Sequence, residues 1–138
     1  MPSTTANGAI WQITSNNITV NVDTVTMALT MQRSGGSPWG MVETSHDLTF
    51  ALNGHETPVA LASADEKQAT LYEAGELSGV RVVLRGFRAG NRSMDVSLAI
   101  IVAIDGVSDE PVVRVIPVHD PQRVVREVRY PRPFVLEG

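Results

Sequence analysis

Apolar and polar residues alternate with a period of two along much of the chain, the spacing of strands with one face in a core and the other in water. Trp11 and Ile13 alternate with Gln12 and Thr14, and Ile18, Val20 and Val22 alternate with Thr19, Asn21 and Asp23. The pattern is clearest where Val25, Met27, Leu29 and Met31 stand against Thr24, Thr26, Thr30 and Gln32, which predicts a half-buried antiparallel strand. Leu48, Phe50 and Leu52 predict another, stopped at Asn53-Gly54, where both residues tolerate the positive φ of a tight hairpin turn. A strand over about 58–62 follows. Residues 64–74 contain good helix formers but also fit an edge strand, and strand is the reading taken here. The centre of the domain is expected from 77–87 and 94–105, joined by a turn over 88–93. Residues 96–104 are apolar or small on both faces, which predicts a central strand covered on each side. A turn at 106–110 leads to a strand over 112–118, where Pro117 marks an end or a bulge because it cannot donate to a ladder. A last strand spans 123–130. Nine or ten short strands separated by turn signals argue an all-β, antiparallel β-sandwich with the inward faces of 25–31, 80–84 and 96–104 in its core.

Composition supports the sheet reading, since nineteen Val, seven Ile and eleven Thr are β-branched residues that suit a pleated surface better than a helix. The 138 residues, 43% of them hydrophobic, fit a single domain over 1–138. A formal charge of −4 provides no electrostatic footprint for nucleic acid or an anionic membrane. No apolar run reaches the roughly 18 residues of a membrane span, and residues 1–10 lack the basic and apolar regions of a secretory signal, which makes a cytoplasmic location the default. With no cysteine, disulfides, thiolate metal sites and cysteine nucleophiles are all excluded.

The search for chemistry returns little. His46, His55 and His119 are each followed directly by an acid, and adjacent strand residues point to opposite faces, so none of these pairs forms a local metal clamp or a catalytic dyad. No Gly-x-Ser-x-Gly elbow and no phosphate-binding glycine loop occurs, and Asp109-Glu110 sits in a turn where both carboxylates are solvated. No catalytic residue, metal ligand or cofactor is therefore assigned. Arg123, Arg126, Arg129 and Arg132 recur at every third position, which in a strand sends them alternately to two faces as solvated or salt-bridged side chains rather than one basic stripe. The candidate ligand site is the turn segment 33–40. There Trp39 offers a stacking face to a sugar ring, with Arg33 and Glu43 placed to bond hydroxyls. The rival reading makes Trp39 a plug over the end of the sandwich.

The C-terminal segment, Tyr130-Pro-Arg-Pro-Phe-Val-Leu, is apolar and stiffened by proline, whereas chain termini are usually polar and frayed. Tyr130, Phe134, Val135 and Leu136 are accordingly expected to pack on a following domain or a neighbouring subunit, the chain being the N-terminal part of something longer. An early strand pair joined through Gly35-Gly-Ser-Pro-Trp39, two strong central strands, and the closing Val128-Arg-Tyr-Pro-Arg-Pro-Phe134 resemble the N-terminal β-supersandwich of multidomain glycoside hydrolases. The resemblance implies a fold similar to galactose mutarotase, placed ahead of a catalytic (β/α)₈ barrel whose acid/base and nucleophile carboxylates lie outside this sequence. The mutarotase histidines and carboxylate do not map onto His46, His55 or His119. The function implied is a non-catalytic accessory domain that supports the catalytic domain and contacts glycan. The alternative is a self-contained structural or assembly β-protein that oligomerises through its apolar C-terminal segment.

Overall fold

The computed structural model describes residues 2–42, 46–89 and 91–136, and these form an all-β, sandwich-like fold of antiparallel sheets. Five strands run first: β1 (Ser3–Asn7), β2 (Ile10–Thr14), β3 (Ile18–Asp23), β4 (Leu29–Arg33) and β5 (Trp39–Met41). A hairpin follows, β6 (Leu48–Leu52) and β7 (His55–Val59), and then a 3₁₀ turn at Leu61–Ser63. Next come β8 (Glu66–Ala74) and β9 (Leu77–Arg85), and the small pair β10 (Arg88–Ala89) and β11 (Arg92–Ser93). The chain ends with β12 (Ser97–Asp105), β13 (Pro111–His119), β14 (Val125–Val128) and β15 (Phe134–Leu136). The strands assemble into a six-stranded sheet in the order β1-β2-β3-β4-β5-β15, a four-stranded sheet β13-β12-β9-β8, a three-stranded sheet β14-β6-β7, and the β10-β11 hairpin.

One hydrophobic core joins the three larger sheets. The six-stranded sheet contributes Ile13, Val20, Val22 and Leu29, the four-stranded sheet Val80, Val82, Leu84, Leu98, Ile100 and Val102, and the three-stranded sheet Leu48, Phe50 and Val59. Phe50 meets Phe87 edge to face, with ring centroids 5.6 Å apart, in the geometry favoured by the aromatic quadrupole. The doubly apolar segment is the central strand its composition implies. Leu98, Ile100, Val102 and Ile104 enter the core, while Ala99, Ile101 and Ala103 are buried on the other side. In register, Ile101 lies between Arg81 and Arg114, residues with long aliphatic stems. The ambiguous segment 64–74 is indeed an edge strand, β8. The Asn53-Gly54 turn has φ of 52° and 78°, and the β12/β13 register shifts between Ser97 and Leu98, opposite Pro117.

Four expectations need correction. The strand predicted over 24–32 begins only at Leu29, and Val25 is 61% exposed rather than in the core. The reason is local: Asp23 Oδ1 accepts the backbone N–H groups of Val25 and Thr26, and Met27 turns to φ 58°, so a loop with an Asx turn replaces the first half of the strand. The strand expected at 58–62 lies earlier, at His55–Val59, because the type I′ turn at Asn53-Gly54 starts pairing at once. The strand expected over 123–130 is the shorter β14, because Arg123 turns to φ 52° and Asp120 accepts the N–H groups of Val124 and Val125, and it is followed by β15 rather than being the last. The described residues also form fifteen strands rather than nine or ten, since β1 and several pieces of two or three residues carry too little alternation to be read. Among the described residues no helix is long and apolar enough to cross a membrane.

Candidate functional site

Antiparallel partners directly opposite each other share a face of the sheet, so register fixes what surrounds Trp39. The row Val20, Met31, Trp39, Leu136 crosses β3, β4, β5 and β15. Along it burial falls away: Val20 is fully buried, Met31 half-buried, Trp39 45% exposed and Leu136 55% exposed. The core-bearing face of the six-stranded sheet thus runs out past the edge of the sandwich. In the neighbouring row Met41 pairs with Phe134, both half-buried against the core. The result is a depression of about 440 Å³ lined by Ile18, Met31, Arg33, Gly36, Ser37, Trp39 and Phe134.

The structure therefore brings Arg33, Trp39 and Phe134 together in one groove, with Leu136 adjoining in register. Trp39 stands in a strand rather than a loop, and it is neither a sealed plug nor a free platform. Arg33 reaches Glu110 at 3.2 Å across the rim, and the 33–36 turn is closed by Gly36 N–H donating to the Arg33 carbonyl. Arg33 and Ser37 supply the polar side chains of the lining, and the rest is apolar or glycine. Val135 lies on the opposite face, paired with Gly40 and 49% exposed. Glu43 lies outside the described residues.

Tyr130 is not on this surface. It is 5% exposed, and its hydroxyl donates to the Met27 carbonyl at 2.6 Å. Burial pushes the phenol pKa up against the lowering field of Arg132, so the hydroxyl remains a donor. Tyr130 belongs to a latch that holds the C-terminal strand in place. Arg132 is buried against Asp47, with Nε 2.7 Å from Oδ1 and Nη2 3.0 Å from Oδ2. Asp47 Oδ2 also accepts the Leu61 N–H at 2.8 Å, and Arg132 Nη2 donates to the Thr26 carbonyl at 3.2 Å. Arg129 N–H donates to the Asp47 carbonyl, and Val42 N–H to the Pro133 carbonyl. These bonds lay Phe134–Leu136 alongside β5 and so build one wall of the groove. Periodicity could not single out Arg132 among the four arginines, because its partner lies 85 positions away. The other arginines of the series behave as surface groups: Arg129 pairs with Glu127, and Arg126 donates to the carbonyls of Arg123 and Val125.

The histidines do not converge. His46 bonds Thr49 Oγ1 at 2.7 Å, His119 faces Asp95 at 2.9 Å, and His55 is exposed on β7. Among the described residues no group of three or more His, Asp or Glu side chains could hold a metal ion. What the groove offers is shape and apolar surface, suited to receiving apolar side chains or the apolar face of a ring.

No protein-family model matches the sequence, and no curated protein matches it. Solved structures do. The chain is similar to the α-N-acetylgalactosaminidase NagBb from Bifidobacterium bifidum in its Gal-NHAc-DNJ complex, with a TM-score of 0.72 at 19% identity over 90% of this chain and 19% of that one. It is similar to the GalNAc complex of the same enzyme at TM-score 0.71 and 20% identity, covering 90% and 19% of the two chains. The ligand-free form gives 0.69 at 19% identity, covering 91% and 18%. The chain accordingly has the β-sandwich fold of one part of a glycoside hydrolase, and it spans about a fifth of the length of the solved chains it matches.

Proposed function

We propose that the chain is a non-catalytic accessory β-sandwich domain of a glycoside hydrolase, seated on the catalytic domain of the same polypeptide through the Trp39 groove. The observation that carries this reading is the outer end of a core-bearing face, where Trp39 and Leu136 are exposed beside half-buried Met31 and Phe134, on a fold that makes up 19% of the enzyme chain it matches. Covering the exposed half of an aromatic side chain removes on the order of 100 Å² of apolar surface, about 2–3 kcal/mol before the costs of association. The lining favours side chains over sugar, since Arg33 is already engaged by Glu110 and few other polar groups face the groove. Glycan contact at Trp39 is the lesser part of the proposal.

A second reading has one observation behind it. β15 is the edge of its sheet and exposes Val135 and Leu136, and an apolar edge strand is a template for pairing with another copy. Sedimentation equilibrium of this chain separates the two, a monomer at all concentrations being expected for the accessory domain and a dimer for the assembly protein. Trp39→Ala is expected to reduce unfolding stability by only about 1–2 kcal/mol, less than a fully buried aromatic, while weakening capture of the catalytic domain supplied in trans. A loss of about 3–5 kcal/mol in urea denaturation would make Trp39 a core residue of the isolated domain and remove it from the docking surface.

A further inference from the structure

Beyond the end of the β6–β7 hairpin lies a cleft of about 550 Å³ that shares no lining residue with the Trp39 groove. Its walls include Leu52, Asn53, Arg92, Gln122 and Arg126, brought from the end of β6 and the turn after it, from β11, from the segment before β14, and from β14 itself. Among the described residues no carboxylate lines it. In a chain with fifteen acidic and eleven basic residues, two arginines line this one cleft, and Arg92 also borders the adjoining smaller depression that holds Asp95 and Asp120.

The neighbouring acids have other hydrogen-bond partners. In the adjoining smaller depression, Asp120 accepts the backbone N–H groups of Val124 and Val125 through its two oxygens, at 2.8 and 3.1 Å, and Asp95 faces His119 at 2.9 Å. Neither Arg92 nor Arg126 forms an ion pair among the described residues. Arg126 spends Nη1 on backbone carbonyls, which orients the guanidinium without neutralising it. Guanidinium groups bind carboxylate and sulfate through paired, charge-assisted hydrogen bonds. The carboxamides of Asn53 and Gln122 add donors and acceptors suited to hydroxyls, and Leu52 adds an apolar patch for the face of a ring.

We infer that this cleft binds a saccharide carrying an oxyanion, a carboxylate or a sulfate ester, with Arg92 and Arg126 holding the anion and Asn53 and Gln122 the hydroxyls. The inference does not depend on the docking role of the Trp39 groove. It is tested by NMR titration of the ¹⁵N-labelled chain, at fixed ionic strength, with trigalacturonate, galactose 6-sulfate, neutral galactose and inorganic sulfate. The acidic sugars are expected to shift the amides of Leu52, Asn53, Gly54, Arg92 and Gln122 with a Kd of about 1 mM or tighter, and galactose is not. R92Q and R126Q are each expected to weaken that binding about tenfold or more with the thermal midpoint unchanged. Equal shifts with galactose, no shifts with either acidic sugar, or affinity unaltered in both variants would overturn it. Inorganic sulfate binding as tightly as galactose 6-sulfate would overturn the saccharide part and leave a bare anion site.

Discussion

Arg132→Met is expected to lower the unfolding free energy by about 3–5 kcal/mol, measured by urea denaturation. Asp47 is wholly buried and Arg132 only 5% exposed, so removing the guanidinium leaves a carboxylate in the interior without its counter-charge. The backbone bond from Leu61 N–H to Asp47 remains but cannot replace two charge-assisted ones. The double variant Asp47→Leu, Arg132→Met is expected to recover most of the loss, because apolar groups of similar size remove both desolvation penalties. It should fall short of the native protein by about 1 kcal/mol for the unsatisfied Leu61 N–H. A single-variant loss below about 1 kcal/mol would mean that the latch does not bear on stability. Arg132 also bonds the Thr26 carbonyl and leads directly into β15, so the single variant is expected to loosen Phe134–Leu136 and with them one wall of the groove.

Gly79→Ala is the second large effect. Replacing glycine by alanine in a compatible strand conformation normally stabilises by about 0.4–1 kcal/mol through the unfolded chain. Here the sign reverses. A Cβ at position 79 would stand 2.0 Å from the Val102 carbonyl oxygen and 2.6 Å from the Ala103 Cα, both backbone atoms of the adjacent strand β12. Neither can rotate away, so β9 and β12 must part at the centre of the four-stranded sheet. Overpacking alone costs about 1–3 kcal/mol, and a loss of ladder bonds takes this substitution to the top of that range or beyond. Tyr72, the register partner of Gly79 on β8, is half-buried while its outer-face neighbours Thr70 and Ala74 are exposed, as expected of an aromatic lying beside an absent side chain. Unchanged stability in Gly79→Ala would contradict the close approach of the two strands.

Legibility of the fold followed the range of the forces involved. The Asn53-Gly54 hairpin and the central strand β12 could be read because a turn residue or an unbroken apolar run decides them locally. Val25 continued an alternating pattern yet lies outside the core, because the side chain of Asp23 captures two backbone donors and turns the chain before the pattern can act. The C-terminal segment was legible as apolar and unlike a frayed end. Its place beside β5 was not, since it depends on Asp47, Thr26 and Met27, all remote in sequence. The groove shows both limits at once. Trp39, Arg33 and Phe134 were each legible as unusual, but their meeting is a consequence of strand register, and Ile18 and Met31 carried no mark beyond ordinary alternation. The cleft of Arg92 and Arg126 was invisible for the same reason, being built from turns and strand ends whose arginines read singly as solvated surface groups.

The claim that the Trp39 groove is a domain-docking surface is tested most directly by hydrogen exchange of this chain alone and of the same chain joined to the catalytic domain. The account predicts slower exchange at residues 39–41 and 134–136 in the joined protein, with the β8–β9–β12 amides unchanged because they are already protected in the core sheet. Identical exchange at 39–41 and 134–136 in the two proteins would contradict it.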